Sequence, residues 1–188
     1  DFVLLEHPSF FKRLSDWVAS MPNGNRIRVV ESDIANPGLD IPAPLKDELK
    51  ATVTHAFHLA ALYNLSVPRD ISFRVNVEGT RNVVDFLHDL PRLERFAHTS
   101  TLAVAGDYSG DFSEDDFDKG QGHKNYYEET KFLSEKLVRE HSASLPTVIM
   151  RPAVVVGDSQ TGYIEKIDGP YYLFVTVSRN LHWIVPDG

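Results

Sequence analysis

The 188-residue sequence contains no cysteine. Disulfide bonds, cysteine-based zinc sites and thiol nucleophiles are therefore excluded, and a reducing compartment is permitted. We accordingly predict a cytoplasmic location. The sequence also lacks an apolar run of the roughly 18 residues that a membrane helix needs, so we expect no membrane span.

Basic residues are in short supply as well. Lysine and arginine number 19 against 27 aspartates and glutamates, which gives a formal net charge of -8. A surface of this sign repels phosphate backbones, so we expect no nucleic-acid partner. His58 and His98 have no partner at metal-ligand spacing, and we interpret them as packed or locally hydrogen-bonded side chains, with no metal site.

Hydrophobic residues make up 42% of the chain, which is enough for a core, and their spacing alternates between helix and strand. Helical periodicity marks residues 9–21, 76–90 and 126–141, and strand-like runs occupy residues 26–30, 52–61, 95–104 and 147–156. Apolar strands that alternate with helices indicate a parallel sheet covered on both faces. The predicted class is α/β with a doubly wound, Rossmann-like parallel sheet.

Two stretches between these elements are predicted loops. Residues 36–44 are rich in proline, and residues 107–124 form an acidic, glycine-bearing stretch that we call the acidic loop. A loop of that length in a compact domain is usually functional or disordered.

Tyr127 and Lys131 are four residues apart on a predicted helix, so their side chains share one face. A tyrosine has an ordinary pKa near 10, and a neighbouring ammonium favours the phenolate and lowers that pKa. The spacing alone also fits an exposed pair on any helix. Upstream, the hydroxyl residues Thr99, Ser100 and Thr101 end a predicted strand, where open α/β sheets bind their ligands.

Six segments, in this order, resemble the extended short-chain dehydrogenase/reductases. They are Asp33-Ile34, His58 to Ala61, Asn76 to Asn82, Thr99 to Thr101, Tyr127 to Lys131, and Arg151-Pro152. The resemblance implies that Tyr127 is the general acid/base, that Lys131 tunes it and binds the nicotinamide ribose, and that Thr101 hydrogen-bonds the reacting oxygen. Ser100 is the alternative to Thr101.

The same resemblance implies an NAD or NADP cofactor. Asp33 and Ile34 would lie against the adenine, and Asn76 would tie the active-site strands together. The cofactor-binding residues implied in this way are Asp33, Ile34, Leu59, Ala60, Ala61, Asn76, Thr99, Tyr127, Lys131, Pro152 and Ala153. Several also have ordinary explanations, because Ala60 and Ala61 fit a core, Asp33 fits a turn and Pro152 fits a strand end.

The family's glycine-rich turn, of the form T-G-x-x-G-x-x-G, does not occur in the sequence. We therefore expect the first βαβ unit, with the residue that selects NAD or NADP, to be missing. On this interpretation residues 1–188 are a single partial nucleotide-binding domain, opening after the family's second strand and belonging to a longer protein. A substrate-binding lobe would begin at about residue 157, and the C-terminal segment Ile184 to Gly188 would stop before that lobe is complete.

After Arg151-Pro152 the sequence lacks the R-x-x-N-x-Y-G-P pattern that is usual in sugar-nucleotide enzymes. It looks closest to the thioester reductase and fatty-acyl reductase branch, which implies hydride transfer to an acyl thioester. Three alternatives stay open: a nucleotide-sugar epimerase/dehydratase or hydroxysteroid-type dehydrogenase, a non-catalytic NAD(P)-binding regulatory protein, and a fragment that binds no cofactor. The resemblance also implies that the helix carrying Tyr127 can form a homodimer face.

Overall fold

The structure is a computed structural model that describes residues 1–63, 66–164 and 169–179. The chain divides into two compact units, Asp1–Arg151 and Pro152–Gly188. The segment Ile184 to Gly188, where we expected the substrate lobe to break off, lies outside the described residues.

The first unit contains two parallel sheets. Strand β1 (Phe2–Glu6) pairs with β2 (Ile27–Glu31), and strands β3 (His55–His58), β4 (Arg95–Thr99) and β5 (Thr147–Met150) form a second sheet in that order. No strand among residues 1–63, 66–164 and 169–179 bridges the two sheets. The predicted parallel, Rossmann-like class is confirmed.

Helices separate the strands along the chain. They are α1 (Pro8–Ser20), α2 (Ala43–Thr52), α3 (Arg69–Phe73), α4 (Gly79–His88), α5 (Tyr126–His141) and, in the second unit, α6 (Pro170–Ser178). A π-helical turn, Arg74–Glu78, joins α3 to α4. None of the helices in the described part of the chain has the length and apolar character needed to cross a membrane.

Local sequence explains where α5 begins and ends. The Asn125 side chain accepts a hydrogen bond from the backbone N–H of Glu128 at 2.9 Å, which caps the helix. Glu128 and Glu129 occupy the first turn, and Arg139 and His141 occupy the last. This order of charges complements the helix dipole at both ends.

The structure differs from the sequence predictions in several elements. Phe2–Glu6 is a strand, where the sequence pattern predicted no element. The proline-rich stretch leads into α2, because prolines are tolerated in the first helical turn, where the backbone N–H needs no partner within the helix. The predicted strand 95–104 ends at Thr99, since Thr101 caps a 3₁₀ turn over Leu102–Ala105.

Two clusters of buried side chains form the core of the first unit. The larger lies between α4, α5 and β4 and consists of Val84, Leu87, Leu90, Phe96, Leu137, Val138 and Leu145. The smaller consists of Leu39, Ile41 and Leu49, with Val3 and Leu5 of β1 packed against it. Val53, Val83 and Phe86 touch both clusters, so the two sheets share one continuous core.

Two histidines are buried side by side in this unit. His58 and His98 are paired in register on β3 and β4, and their ring centroids are 5.4 Å apart. Burial lowers the pKa of His58 to about 3 and that of His98 to about 2, so both rings are neutral. His58 Nε2 lies 3.0 Å from the Thr80 hydroxyl, whereas neither ring nitrogen of His98 has a hydrogen-bond partner among the described residues.

We expect this pair to make the fold sensitive to acid. Unfolded histidines take up protons below about pH 6.5 while the buried ones stay neutral, so stability falls as the pH drops from 6.5 towards 3. Each histidine contributes a slope of roughly 1.4 kcal/mol per pH unit. Urea unfolding between pH 7 and pH 4 should show a shallower slope for His98→Leu and an unchanged slope for the exposed control His55→Gln. An unchanged slope for His98→Leu would contradict the assignment.

Candidate active site

The candidate site lies at the carboxyl end of β4, where α5 crosses it. Lys131 is 4% exposed, and its ammonium donates a hydrogen bond to the Thr99 carbonyl at 2.7 Å. Burial lowers the pKa of Lys131 to about 8, although the negative charge of Glu135 acts in the opposite direction. The side chain is thus held by the strand end and carries a positive charge below about pH 8.

Tyr127 lies one helical turn before Lys131 and beside Thr101. Burial raises the pKa of the Tyr127 phenol, while a hydrogen bond with Thr101 acts to lower that pKa. The ring of Tyr63 meets the Tyr127 ring edge-on, with centroids 4.7 Å apart. The tyrosine pKa is therefore raised rather than lowered as expected, because desolvation is the largest effect on the phenol and the Lys131 ammonium is bonded to Thr99.

Thr101 and Ser100 occupy different environments. The Ser100 hydroxyl is buried and donates to the Glu135 carboxylate at 2.6 Å, so it is already engaged away from Tyr127. The Thr101 hydroxyl accepts from the Ala103 backbone N–H at 3.2 Å and lies close enough to the Tyr127 phenol to act on its pKa. Of the two, Thr101 is the hydroxyl placed beside the phenol.

Asn76 holds the segment after β3 against α5. Its side-chain carbonyl accepts from the Leu62 backbone N–H at 2.7 Å, and its amide nitrogen donates to the Leu62 carbonyl at 3.2 Å and the Thr130 hydroxyl at 3.0 Å. The Asn76 backbone carbonyl lies in the π-helical turn and accepts from the hydroxyls of Thr80 and Ser134. Turns of this kind are frequent at functional sites, because they free a backbone group for another partner.

The residues predicted to lie against the adenine are engaged within the protein. The Asp33 carboxylate accepts from the Ala35 backbone N–H at 2.9 Å, which is a turn-forming contact. The Ile34 carbonyl accepts from the Asn82 amide at 2.8 Å. A β-carbon on Gly79 would come within 3.0 Å of the Ile34 side chain, so glycine permits this close packing of α4.

Of the remaining predicted cofactor residues, Thr99 is partly buried and five others are exposed. Leu59, Ala60 and Ala61 follow β3 directly, and Leu59 is 66% exposed. Pro152 and Ala153 are exposed and begin the second unit, and their role in binding a cofactor stays a prediction.

Two side chains near the site, Glu135 and Tyr63, were not predicted from the sequence. Glu135 is four residues beyond Lys131, so helical spacing places it on the same face and could have indicated it. Tyr63 lies outside any regular element, and no spacing rule connects it with Tyr127.

The geometry suits chemistry at a carbonyl oxygen. The hydroxyls of Thr101 and Tyr127 lie together, and a buried ammonium is fixed one turn further along the helix. Paired hydroxyl donors in a buried site can stabilise developing negative charge on oxygen, and a phenol can supply the proton that neutralises it. No group of three or more potential metal ligands occurs within the described ranges.

Known proteins are similar to this chain in sequence and fold. A family model described as "Male sterility protein" matches residues 5–187. The chain is 25% identical over 184 residues to "Fatty acyl-CoA reductase wat" of Drosophila melanogaster, covering 83% of this chain and 36% of that protein. It is 26% identical to "Fatty acyl-CoA reductase 1" of Gallus gallus, with the same coverage of both. The chain thus spans about a third of the length of these curated relatives.

A solved structure has a similar fold. The terminal R domain from the myxalamid PKS-NRPS biosynthetic pathway superposes with a TM-score of 0.68 at 26% identity, covering 85% of this chain and 43% of that one.

Asn76 gives a test of how the site is held together. Asn76→Ala removes three side-chain hydrogen bonds and leaves the backbone N–H and carbonyl of Leu62 without those partners, so we expect a loss of about 3 kcal/mol in the free energy of unfolding. Asn82→Ala removes one bond at a partly buried position and should cost about 1 kcal/mol. Urea unfolding measures both, and equal losses would argue against a special role for Asn76.

Proposed function

Because the chain belongs to the NAD-binding family described as male sterility protein, we propose that it carries the catalytic residues of a nicotinamide-dependent reductase of acyl thioesters. The proposal rests on one observation, which is that Thr101, Tyr127 and Lys131 lie together at the carboxyl end of β4. The names of the two relatives, which are fatty acyl-CoA reductases, support the choice of an acyl thioester.

Each of the three residues has a distinct task in such a reduction. Thr101 and Tyr127 hold the thioester carbonyl oxygen with their hydroxyls and stabilise the negative charge that develops on it. Tyr127 then donates its phenolic proton to that oxygen. The positive charge of Lys131 stabilises the phenolate that remains.

The residues at the end of β3 fit a nicotinamide nucleotide. Ala60 and Ala61 are small and exposed, so they leave the backbone open to a bound ring or ribose. A bound nicotinamide would supply the hydride that reduces the carbonyl carbon. The sequence has no glycine-rich turn for the pyrophosphate, and the choice between NAD and NADP stays open.

The alternatives make different demands. A nucleotide-sugar epimerase or a hydroxysteroid-type dehydrogenase would use the same tyrosine and lysine on another substrate, and a regulatory protein would bind the nucleotide without turnover. Burying a lysine beside a threonine and a tyrosine costs free energy that packing alone does not offset. This arrangement favours a catalytic role over binding without turnover. The homodimer and the cytoplasmic location remain predictions from the sequence.

Replacing the proton donor separates these functions. We expect Tyr127→Phe to reduce nicotinamide oxidation with a long-chain acyl-CoA by at least about a hundredfold, since a positioned acid contributes roughly that much. The matched control is Tyr126→Phe, which removes a phenol from the exposed face of the same helix and should have little effect. Undiminished turnover by Tyr127→Phe would contradict the catalytic role.

Parallel assays and titrations decide between the substrates and cofactors. Turnover with a UDP-sugar or a hydroxysteroid, but with no acyl-CoA, would favour the alternative enzymes. Calorimetric titration with NADPH and NADH shows which nucleotide binds, and binding without turnover on any substrate would favour the regulatory protein.

The lysine predicts a pH limit. The pKa of Lys131 is about 8, below its ordinary value, so the ammonium is present below pH 8 and is lost as the pH rises through 8. We expect kcat to fall by up to about tenfold per pH unit above that value, because one proton is lost. Lys131→Met should have a low kcat at every pH, and its kcat should not fall further above pH 8. A fall of the same shape in Lys131→Met would assign the titration to another group.

A further inference from the structure

Glu135 is a fully buried carboxylate with three partners. It lies one helical turn beyond Lys131, and its side chain has 0% exposure. It accepts hydrogen bonds from the Ser100 hydroxyl at 2.6 Å, from Arg151 at 2.6 Å and from Arg139 at 2.8 Å. Burial alone would raise the pKa of Glu135, but these three donors together hold it below its ordinary value, so the carboxylate is ionised.

On one side, Glu135 fixes the centre of the hydroxyl segment. Ser100 lies between Thr99, whose carbonyl accepts a hydrogen bond from the Lys131 ammonium, and Thr101, whose hydroxyl lowers the pKa of the Tyr127 phenol. Because Ser100 is tied to Glu135, the backbone on both sides of it is held relative to α5. The same helix carries Tyr127, so one helix positions both the phenol and the hydroxyl beside it.

On the other side, Glu135 reaches the acidic loop through Arg151. The Arg151 guanidinium donates to the backbone carbonyls of Ser113 at 3.2 Å and Asp116 at 2.7 Å. It also lies 5.2 Å from the centre of the Phe112 ring. A guanidinium is suited to such a junction, because its planar fork donates several bonds in fixed directions.

Further contacts fasten the base of the acidic loop to α5 and to the turn after β4. The Arg139 guanidinium lies 4.7 Å above the Phe117 ring, which stacks on Phe132 of α5 with centroids 4.5 Å apart. The Gln121 amide donates at 2.8 Å to the carbonyl of Val104, in the turn that Thr101 caps. The acidic loop therefore shares its anchor points with the candidate site.

We propose that Glu135 is a positioning residue, which through Ser100 holds Thr101 against Tyr127 and through Arg151 fixes the acidic loop beside the same site. This role rests on the proposed reductase function. A purely structural carboxylate would affect the stability of the fold but would leave the Tyr127 phenol and its partner Thr101 unaffected in protein that remains folded.

The most informative variant is Ser100→Ala. It removes the hydrogen bond through which Glu135 holds the segment of Thr101, and it leaves both ion pairs of Glu135 in place. We expect kcat for acyl-CoA reduction to fall roughly tenfold. In a Thr101→Ala background the same change should cost less than about twofold, because the residue through which Ser100 acts is already gone. Equal losses in both backgrounds would overturn the positioning role. Ser142→Ala removes a hydroxyl from the end of the same helix, outside the network, and should change neither rate.

A second readout needs no turnover. The hydrogen bond with Thr101 lowers the pKa of the Tyr127 phenol, so loosening Thr101 should raise that pKa. Ultraviolet titration of tyrosinate, with the signal of the matching Tyr127→Phe variant subtracted, should show the rise in Ser100→Ala and none in Ser142→Ala. An unchanged Tyr127 pKa in Ser100→Ala would overturn the proposal. If the protein reduces no acyl thioester, the reductase function fails, while this titration still decides the positioning role.

Limited proteolysis tests the contact with the acidic loop. Arg151→Lys keeps the charge but cannot reach both loop carbonyls, so cleavage within residues 107–124 should become faster, by about tenfold. Ser100→Ala should leave cleavage at its original rate. Unchanged protection of the loop in Arg151→Lys would overturn this half of the proposal.

Discussion

The candidate site depends on the burial of polar side chains between α4, α5 and the strands β3 and β4. Water does not reach this layer, so each polar group must find its partner inside the protein. The Lys131 ammonium hydrogen-bonds the Thr99 carbonyl, and the Asn76 side chain hydrogen-bonds Leu62 and Thr130. The Glu135 carboxylate accepts from Ser100 and from two arginines. These bonds set the position of α5 relative to β4, and that position brings Tyr127 to Thr101.

His98 and the hydroxyl of Thr99 are exceptions in this layer. The His98 ring is completely buried, and its two nitrogens have no hydrogen-bond partner among the described residues. A neutral ring tolerates this better than a charged one, and the positive charge of Lys131 also opposes protonation of His98. The apolar contact with Phe96 offsets part of the cost, since the two rings lie on the same face of β4 with centroids 6.3 Å apart.

Sequence patterns predicted the elements whose apolar residues repeat regularly. They failed where an element is short or depends on a few local residues, such as prolines in a first helical turn. The helix over 126–141 matches α5 because an apolar stripe, a capping asparagine and ordered charges all agree. Helix α2 was missed because Pro42 and Pro44 indicate a loop unless their place in a first turn is known. Strand β1 was missed because five residues carry too little periodicity.

The site was predicted to a similar extent. Spacing and resemblance predicted Tyr127, Lys131 and Thr101 as residues of the site. The geometry supports this prediction, because it places the three residues together. The partner of Lys131 was beyond prediction, because residues four apart share a helix face without having to bond each other. Where a side chain bonds depends on the strand beneath it, and the periodicity of one helix carries no information about that strand.

The pKa values bear on the direction of the proposed reaction. Burial disfavours both charged forms, so it raises the pKa of Tyr127 and lowers that of Lys131. At neutral pH the tyrosine is therefore a neutral phenol beside a protonated lysine. A phenol is the form that donates a proton to a reduced carbonyl oxygen, whereas oxidation of an alcohol needs the phenolate as base. The resting protonation state is thus the one that reduction requires.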